Sequence, residues 1–437
     1  MKFLILLACS LWLVSCNNNQ EKTNPKNVES ESIQKAFPLY IKDLDPNRDL
    51  SSAMKRSLSH YEAPLLLDNE LYSNFKYTEL EGFDYHNGDG TITRRDPSKI
   101  IFENGKYYVW YTYRNTPKSP LGYEYCNDTI PSKDWDLCDI WYATSTDGFT
   151  WEEQGVAISR PEKPDPGWRS VSTTDVLKWE GKYYLYYQAF SAPSGVPTTT
   201  GAKDVCPVAM SYADSPDGPW KPLNKVVVDF GAEDEWDHRF IHDPYPLIHD
   251  GKIYLYYKSG MEERNANGRL WDAWGVAIAE SPEGPYKKHP LNPVLNSGHE
   301  TILFPFKEGV AAIVTTDGIE HYTIQYAKDW VNFEIASVCK LLPIAAGPFS
   351  PDAFLDSGNA DGITWGLCHF TNASDDLNRM YTKLGRFDCD LSLKVHDPSI
   401  KQSHVGYPNE LYFKYGLSDT QRERIKNENN AFLNSKD

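Results

Sequence analysis

One motif recurs along the chain and constrains it more than any other feature. Residues 105–111 read Gly-Lys-Tyr-Tyr-Val-Trp-Tyr, residues 181–187 read Gly-Lys-Tyr-Tyr-Leu-Tyr-Tyr, and residues 251–257 read Gly-Lys-Ile-Tyr-Leu-Tyr-Tyr. Each follows Asn, Glu or Asp, the signature of a tight turn that opens a β-strand. Two weaker copies follow: Glu308-Gly309 ahead of Val-Ala-Ala-Ile-Val, and Asp361-Gly362 ahead of Ile-Thr-Trp-Gly-Leu. A second turn with an aromatic anchor trails the first three copies, from Ser145 to Trp151, Ser215 to Trp220 and Ser281 to Tyr286. Each unit reads strand, turn, strand, connection, strand, turn, strand. Four strands repeated five times describe an all-β chain, a five-bladed β-propeller over residues 85–399.

Composition agrees with that reading. The 13 Trp, 28 Tyr and 18 Phe make 14% of the residues aromatic. Rings at that density suit strands and disfavour a helical bundle, and spare exposed rings suit stacking on sugars. A formal net charge of −17 argues against a nucleic-acid partner, which calls for a basic face.

The ends of the chain differ from the repeats. Met1 and Lys2 precede an apolar run from Phe3 to Val14, too short to span a bilayer and fitting a cleaved export signal. Residues 13–16 read Leu-Val-Ser-Cys and resemble a lipobox, which makes Cys16 the expected lipidated first residue. The protein is then exported and lipid-anchored, on the periplasmic side of the outer membrane or on the cell surface of a Gram-negative bacterium. Residues 17–40 read as a flexible polar tether. Residues 41–84 read as an N-terminal helical segment, with a helix over Ser51–Glu62 capped by Asp49, Ser51 or Ser52. Residues 400–437 form a tail with a polar helix over Asp419–Leu433. Of the six cysteines beyond Cys16, Cys126 and Cys138 share one polar insertion and are the best disulfide candidates.

The repeat points to a site. The first strand of each propeller blade lines the central channel, and an acid stands ahead of each opening turn: Asp96, Asp175, Asp243, Glu300 and Asp352. Five carboxylates in register crowd one mouth, and their repulsion spreads their pKa values, which separates acids from bases. Arg94 and Arg95 precede Asp96, His242 precedes Asp243, and His299 precedes Glu300. Asp175 and Asp352 suit structural or substrate-contacting roles better than catalytic ones. Paired carboxylates around a sugar-sized pocket point to glycosidic bond hydrolysis. An inverting enzyme holds the pair about 6.5–9.5 Å apart to admit a water.

The blade motifs resemble those of the family 43 type of five-bladed glycoside hydrolases. Ser51-x-Ala53-x-x-Arg56 matches the Ser-x-Ala-x-x-Arg signature of glycoside hydrolase family 117. Arg95-Asp96-Pro97, His242-Asp243-Pro244 and Gly298-His299-Glu300 go with it. The resemblance covers about residues 40–437. It implies an exo-acting α-1,3-(3,6-anhydro-L-galactosidase) that frees 3,6-anhydro-L-galactose from the non-reducing end of neoagaro-oligosaccharides with inversion. It places Asp96 at the general base and Asp243 at a carboxylate that tunes the acid and holds substrate. His299 falls at an unusual histidine proton donor, with Glu300 as its supporting carboxylate; Glu300 is the acid if His299 holds substrate instead. Arg95, Thr173, Asp175, Gln188, His242, Trp141, Trp271 and Trp274 become candidates for holding sugar, though each Trp serves equally well as core. The resemblance also implies a helix-turn-helix-like arm over residues 41–84 that is exchanged in a domain-swapped homodimer. No cofactor is required by this chemistry. A structural divalent cation occurs in the channel of related folds, but no ligand set in the sequence names one. Two other readings stay open. One is an arabinofuranosidase- or xylosidase-like enzyme of the same architecture, with its acids in the first three blades. The other is a glycan-binding lipoprotein without turnover.

Overall fold

The first three Gly-Lys motifs are two-residue hairpin turns. Asn104 and Gly105 have φ of 51° and 77°, Glu180 and Gly181 47° and 78°, Asp250 and Gly251 51° and 65°. Two successive positive φ values match the twist of the flanking strands, which explains the glycine at the second position. In the fourth copy the loop is Lys307-Glu308, and Gly309 already pairs with Phe306. The fifth copy is not a turn. Gly362 lies inside the strand Ala360–Asn372, next to a register shift between Ile363 and Trp365. A Cβ on Gly362 would stand 2.1 Å from the Leu391 carbonyl oxygen, so glycine is there for a close backbone approach.

The computed structural model describes residues 35–58, 69–194, 196–198, 201–264, 270–372, 381–401 and 417–434. The expected signal and its Cys16, most of the tether and residues 59–68 of the N-terminal segment lie outside them. The strands form five antiparallel blades. The first runs Ile92–Arg95 and Ile101–Glu103, both on Lys106–Asn115, then Asp139–Ser145 and Glu152–Ile158. The second runs Ser170–Trp179, Lys182–Phe190, Val208–Ala213 and Lys221–Pro222. The third runs His242–His249, Lys252–Arg264, Leu270–Ala279 and Lys287–Lys288. The fourth runs Ile302–Lys307, Gly309–Val314, Thr323–Ala327 and Glu334–Val338. The fifth contains Gly347–Pro348, Ala360–Asn372 and Tyr381–Ser392, and its outermost strand is Lys76–Glu79. That last strand corrects the expected start of the propeller at residue 85.

The strands are apolar on both faces because both faces are covered. Tyr108 and Trp110 pack toward the second blade with Val176 and Leu185, while Val109 and Tyr111 pack toward the fifth with Leu367 and Leu384. Alternation sends neighbours to opposite faces, so one strand serves two interfaces. Each fully buried Leu or Val adds roughly 1.5–3 kcal/mol. The first and fifth blades meet directly: Ile100 bridges Phe349, and the Ile100 amide donates to the Pro348 carbonyl at 3.0 Å.

The signature residues of the N-terminal segment each have a local task. Ser51 caps the helix Ser52–Ser57 by accepting from the Met54 amide, and its hydroxyl donates to the Pro293 carbonyl at 2.6 Å. Ala53 is fully buried. Arg56 pairs with Glu320 at 2.7 Å and donates to the Phe333 carbonyl at 2.8 Å. The helix docks on blades three and four of its own chain. The tether ends earlier than expected, because Phe37 is buried in the core of blades two and three and Trp236 donates its amide to the Phe37 carbonyl. The expected disulfide is absent. Cys126 and Cys138 are both free, with Cys138 buried against the Asp134 and Asp136 carbonyls and Cys126 facing the Tyr123 carbonyl of its own loop. The C-terminal helix spans Asp419–Asn434.

Candidate active site

The backbone marks the mouth of the channel in every blade. Asp96, Thr173, Asp243, Glu300 and Ala345 all adopt φ between 45° and 60°. With the residue after each, they line one axial cavity: Asp96-Pro97, Thr173-Thr174, Asp243-Pro244, Glu300-Thr301 and Ala345-Ala346. A left-handed residue just before the strand regularises turns its side chain toward the axis, at a conformational cost typical of functional sites. Three positions therefore carry carboxylates, not five. Asp175 sits two residues past its blade's left-handed residue and also lines the cavity. There it binds the Lys99 amide at 2.8 Å and the Lys99 ammonium, both buried. Burial pulls the Lys99 pKa down and pushes the Asp175 carboxyl up, against their mutual attraction. Asp352 lies in a short 3-10 turn, Pro351–Phe354, where it accepts from the Asp361 amide.

Two of the three carboxylates share their partners. Arg95 donates from Nε to Asp96 Oδ2 at 2.9 Å and from Nη2 to Glu300 Oε1 at 3.1 Å. His369 faces Asp96 Oδ1 with Nδ1 at 3.1 Å and Glu300 Oε2 with Nε2 at 3.3 Å. Thr173 donates its hydroxyl to Asp96 Oδ2 at 3.0 Å, and Thr112 does so at 3.3 Å. Burial opposes the charge on Asp96, but Arg95 and His369 outweigh it and hold the carboxyl well below the ordinary range. Glu300 is likewise held down, against burial, by His369, His299 and Arg95.

The third carboxylate, Asp243, pairs with Lys258 at 2.7 Å, and its amide donates to Gln188 Oε1 at 3.1 Å. Burial works against the Lys258 charge, yet Asp243, Asp272 and Glu300 raise its pKa. His299 stands further out, with 43% of its side chain exposed against 11% for Glu300 and 3% for Asp96. Its Nδ1 lies 3.0 Å from Asp272 Oδ2 and 3.2 Å from Asp317 Oδ2, and its Nε2 lies 3.7 Å from Glu300 Oε1. Lys258 and burial disfavour its charge. The bonds to Asp272 and Asp317, with the Glu300 charge, overcome them and push the pKa up to about 10.

The other sugar-holding candidates divide. Trp274 is fully buried and its indole donates to the Gly298 carbonyl at 2.7 Å, so it braces the Gly298-His299-Glu300 turn from behind. Gln188 is also buried and sets the backbone of Asp243. His242 reaches Asp204 at 3.4 Å and packs on Phe240. Trp141 lines a separate cavity on the first blade. Trp271 pairs its backbone with Met261, and its side chain lies outside the described residues. The insertion that holds Cys126 and Cys138 reaches the site through two residues that no sequence motif flags. Arg95 stacks on the Trp135 ring at 4.9 Å, and Asp134 lies 3.6 Å from Arg95 and 3.0 Å from Arg114. His369, Lys258, Asp272 and Asp317 likewise join the site without standing in any of the motifs.

Among the described residues two groups have cation-ligand spacing, Asp96–Glu300–His369 and Asp272–His299–Asp317. In the first, both carboxylates already bind Arg95; in the second, the His299 ring lies between the acids. A divalent cation in the first group would compete with the Arg95 guanidinium, and one in the second with the proton on His299 Nδ1.

Comparison with known proteins settles the family. A family 117 glycoside hydrolase from the marine bacterium Zobellia galactanivorans, Zg3597, is 59% identical over 80% of this chain and all of its own, with a TM-score of 0.74. The protein belongs to glycoside hydrolase family 117. It is therefore a glycosidase acting on an oligosaccharide. A structure of BT0996 in an RGII complex and another described as a glycoside hydrolase each match with a TM-score of 0.50 at 12% identity. Each alignment covers 78% of this chain and 96% of the other, and these two share the fold alone. No protein-family profile and no curated protein sequence matches the chain. In this family 117 protein, the residues of the Ser-x-Ala-x-x-Arg signature hold the N-terminal helix to the blades, and the acids of blades one, three and four meet at the axis.

Proposed function

We propose that the protein is an exo-acting, inverting glycosidase that frees 3,6-anhydro-L-galactose from the non-reducing end of neoagaro-oligosaccharides. One observation carries the mechanism. An oxygen of Asp96, an oxygen of Glu300 and a ring nitrogen of His369 lie within 4.8 Å of one another. That is too close for a base and an acid flanking a water, which need roughly 6.5–9.5 Å. His299 is the outlying group with a proton to give. In this reading Asp96 takes a proton from water as the water oxygen bonds to the anomeric carbon. The glycosidic C–O bond breaks on the opposite face, and His299 gives its proton to the departing oxygen. Asp243, held by Lys258 and Gln188, positions the sugar. The scheme uses protein groups alone. Exo action is supported by the far end of the channel, where Phe354 of the Pro351–Phe354 turn packs against the cores of three interfaces. A pocket closed at its base suits a chain terminus.

Protein lacking residues 1–16 is incubated with neoagarobiose and neoagarohexaose, with Asp96→Asn as control. The reading requires free 3,6-anhydro-L-galactose from the wild type only, with the inverted anomer in the first NMR spectra. No release moves the substrate to other glycosides or to binding without turnover. The arabinofuranosidase-like reading needs Asp175 as a third acid, and its buried pairing with Lys99 weighs against that.

The same reading places the protein outside the cytoplasm, anchored through Cys16. It also makes it a homodimer that exchanges residues 41–84. In an exchanged pair, Ser51, Ala53 and Arg56 would make across two chains the contacts they make here within one. Light scattering on the soluble form and membrane fractionation of Cys16→Ser test these two points: the dimer mass, and release from the membrane.

A further inference from the structure

The first blade carries a cavity of about 690 Å³ that shares no residue with the axial one. Trp141 forms part of it and is partly exposed. Its ring stacks on Tyr113, with centroids 4.1 Å apart and planes 29° from parallel. The Arg94 guanidinium stands 5.1 Å from the Tyr113 ring and is fork-bound to Glu153 at 2.8 and 2.7 Å. The layers Arg94, Tyr113 and Trp141 hold the indole in one orientation before any ligand arrives. At the edge of the cavity, Arg160 and Asp139 lie side by side, about one-third exposed, with the Arg160 amide donating to Asp139 Oδ1 at 2.8 Å.

We propose that this cavity is a second carbohydrate site, which takes one neutral pyranose unit of a longer sugar chain. A fixed indole offers an apolar, electron-rich face to the axial C–H groups of a sugar ring. An adjacent guanidinium and carboxylate offer a donor and an acceptor to neighbouring hydroxyls, which fixes the orientation of a ligand stacked on the indole. Asp89 and Asp139 both line the cavity, which disfavours a sulfated unit. The two sites share one strand: Arg94 backs Tyr113, on which the indole stacks, while Arg95 beside it binds Asp96 and Glu300. A sugar polymer held on the first blade stays tethered to the molecule that carries the axial site, which raises the local concentration of its other units without any new contact at the axis.

The test is affinity electrophoresis of the Asp96→Asn protein, which is expected not to degrade its ligand. The gels contain agarose, mannan or xylan as neutral pyranose polymers, and κ-carrageenan as a sulfated one. At least one neutral polymer is expected to retard the protein. Adding Trp141→Ala, or separately Arg160→Gln, is expected to weaken that retardation roughly tenfold. Arg160 is a surface side chain, so its variant keeps the test valid if Trp141→Ala fails to fold. In otherwise wild-type protein, neither substitution is expected to change neoagarobiose turnover by more than about twofold. Retardation by no neutral polymer, by carrageenan alone, or undiminished in both variants overturns the proposal. The use of neoagarobiose rests on the function proposed above, and the two can fail separately. Turnover with unaltered retardation removes only the second site. Trp141-dependent retardation without turnover removes only the substrate assignment.

Discussion

Asp96 and Glu300 face the two nitrogens of a single imidazole. His369 lies 3.1 Å from one and 3.3 Å from the other, on the second strand of the fifth blade. It is the contribution of that blade to the site, whose own left-handed residue is Ala345.

His369→Ala removes one of the two strongest influences that hold the Asp96 carboxyl down, the other being Arg95. A base works while ionised, and a carboxyl with a lowered pKa stays ionised until the pH falls far below the ordinary range. Without His369 it takes up its proton sooner as the pH drops. The acidic limb of kcat/KM is expected to move upward, with kcat down roughly 10²-fold. An unmoved limb would show that His369 only fills space.

His299 behaves with the opposite sign. As a proton donor it works while charged, and a pKa raised to about 10 keeps it charged through neutrality. The alkaline limb of kcat/KM is expected to lie near that value. Asp272→Asn removes one of the bonds that raise it and is expected to shift the limb downward. Glu300→Gln is expected to shift it in the same direction and by less, since Glu300 is the weaker of the influences raising it.

Lys258 and Asp243 are a buried pair, 2% and 11% exposed. Lys258→Met leaves the Asp243 carboxylate buried without its partner and is expected to cost about 3–5 kcal/mol in urea unfolding. Adding Asp243→Asn to Lys258→Met is expected to recover much of that loss, because no uncompensated charge remains. Additive losses in the double variant would count against the pair as drawn.

The meeting of the first and fifth blades leaves no room for a side chain at Gly347. A Cβ there would lie 1.7 Å from the Ser98 carbonyl oxygen and 2.6 Å from that of Pro97. Both obstacles are backbone and cannot rotate away. Gly347→Ala is expected to destabilise by more than about 4 kcal/mol or to abolish folding. Gly358→Ala, with nothing within 4 Å but a φ of 63°, is expected to cost only about 1 kcal/mol. Thermal melts compare the two.

The blade count, the first three turns and the acids of blades one, three and four are legible in the sequence because each depends on local chemistry. A short polar residue or Glu followed by Gly, ahead of alternating aromatics, favours a hairpin through local backbone preference alone. The fifth turn is misread because Asp361-Gly362 copies the turn composition while serving a close approach to Leu391. Counting back from the turns also puts Asp175 in register with Asp96, although a bulge gives that place to Thr173. A bulge shifts register without leaving a mark in composition. Lys258 does leave a faint signal, as a cation directly after the apolar run 253–257 inside one strand, whereas Lys99 stands between two strands. His369 and Trp135 leave none, since neither neighbours an acid motif and only the closed ring brings them to the axis.

The strand Lys76–Glu79 pairs with Asp388–Gly385, so backbone from opposite ends of the described residues completes one sheet. During synthesis this strand emerges early and has no partner until nearly all the blades have left the ribosome. An unpaired strand is a template for other chains, and contacts between distant residues slow folding. For a protein exported as proposed above, that delay is useful. The ring cannot lock while its last strands are missing, and on that proposal a chain that closes late is one that can still be threaded through a membrane.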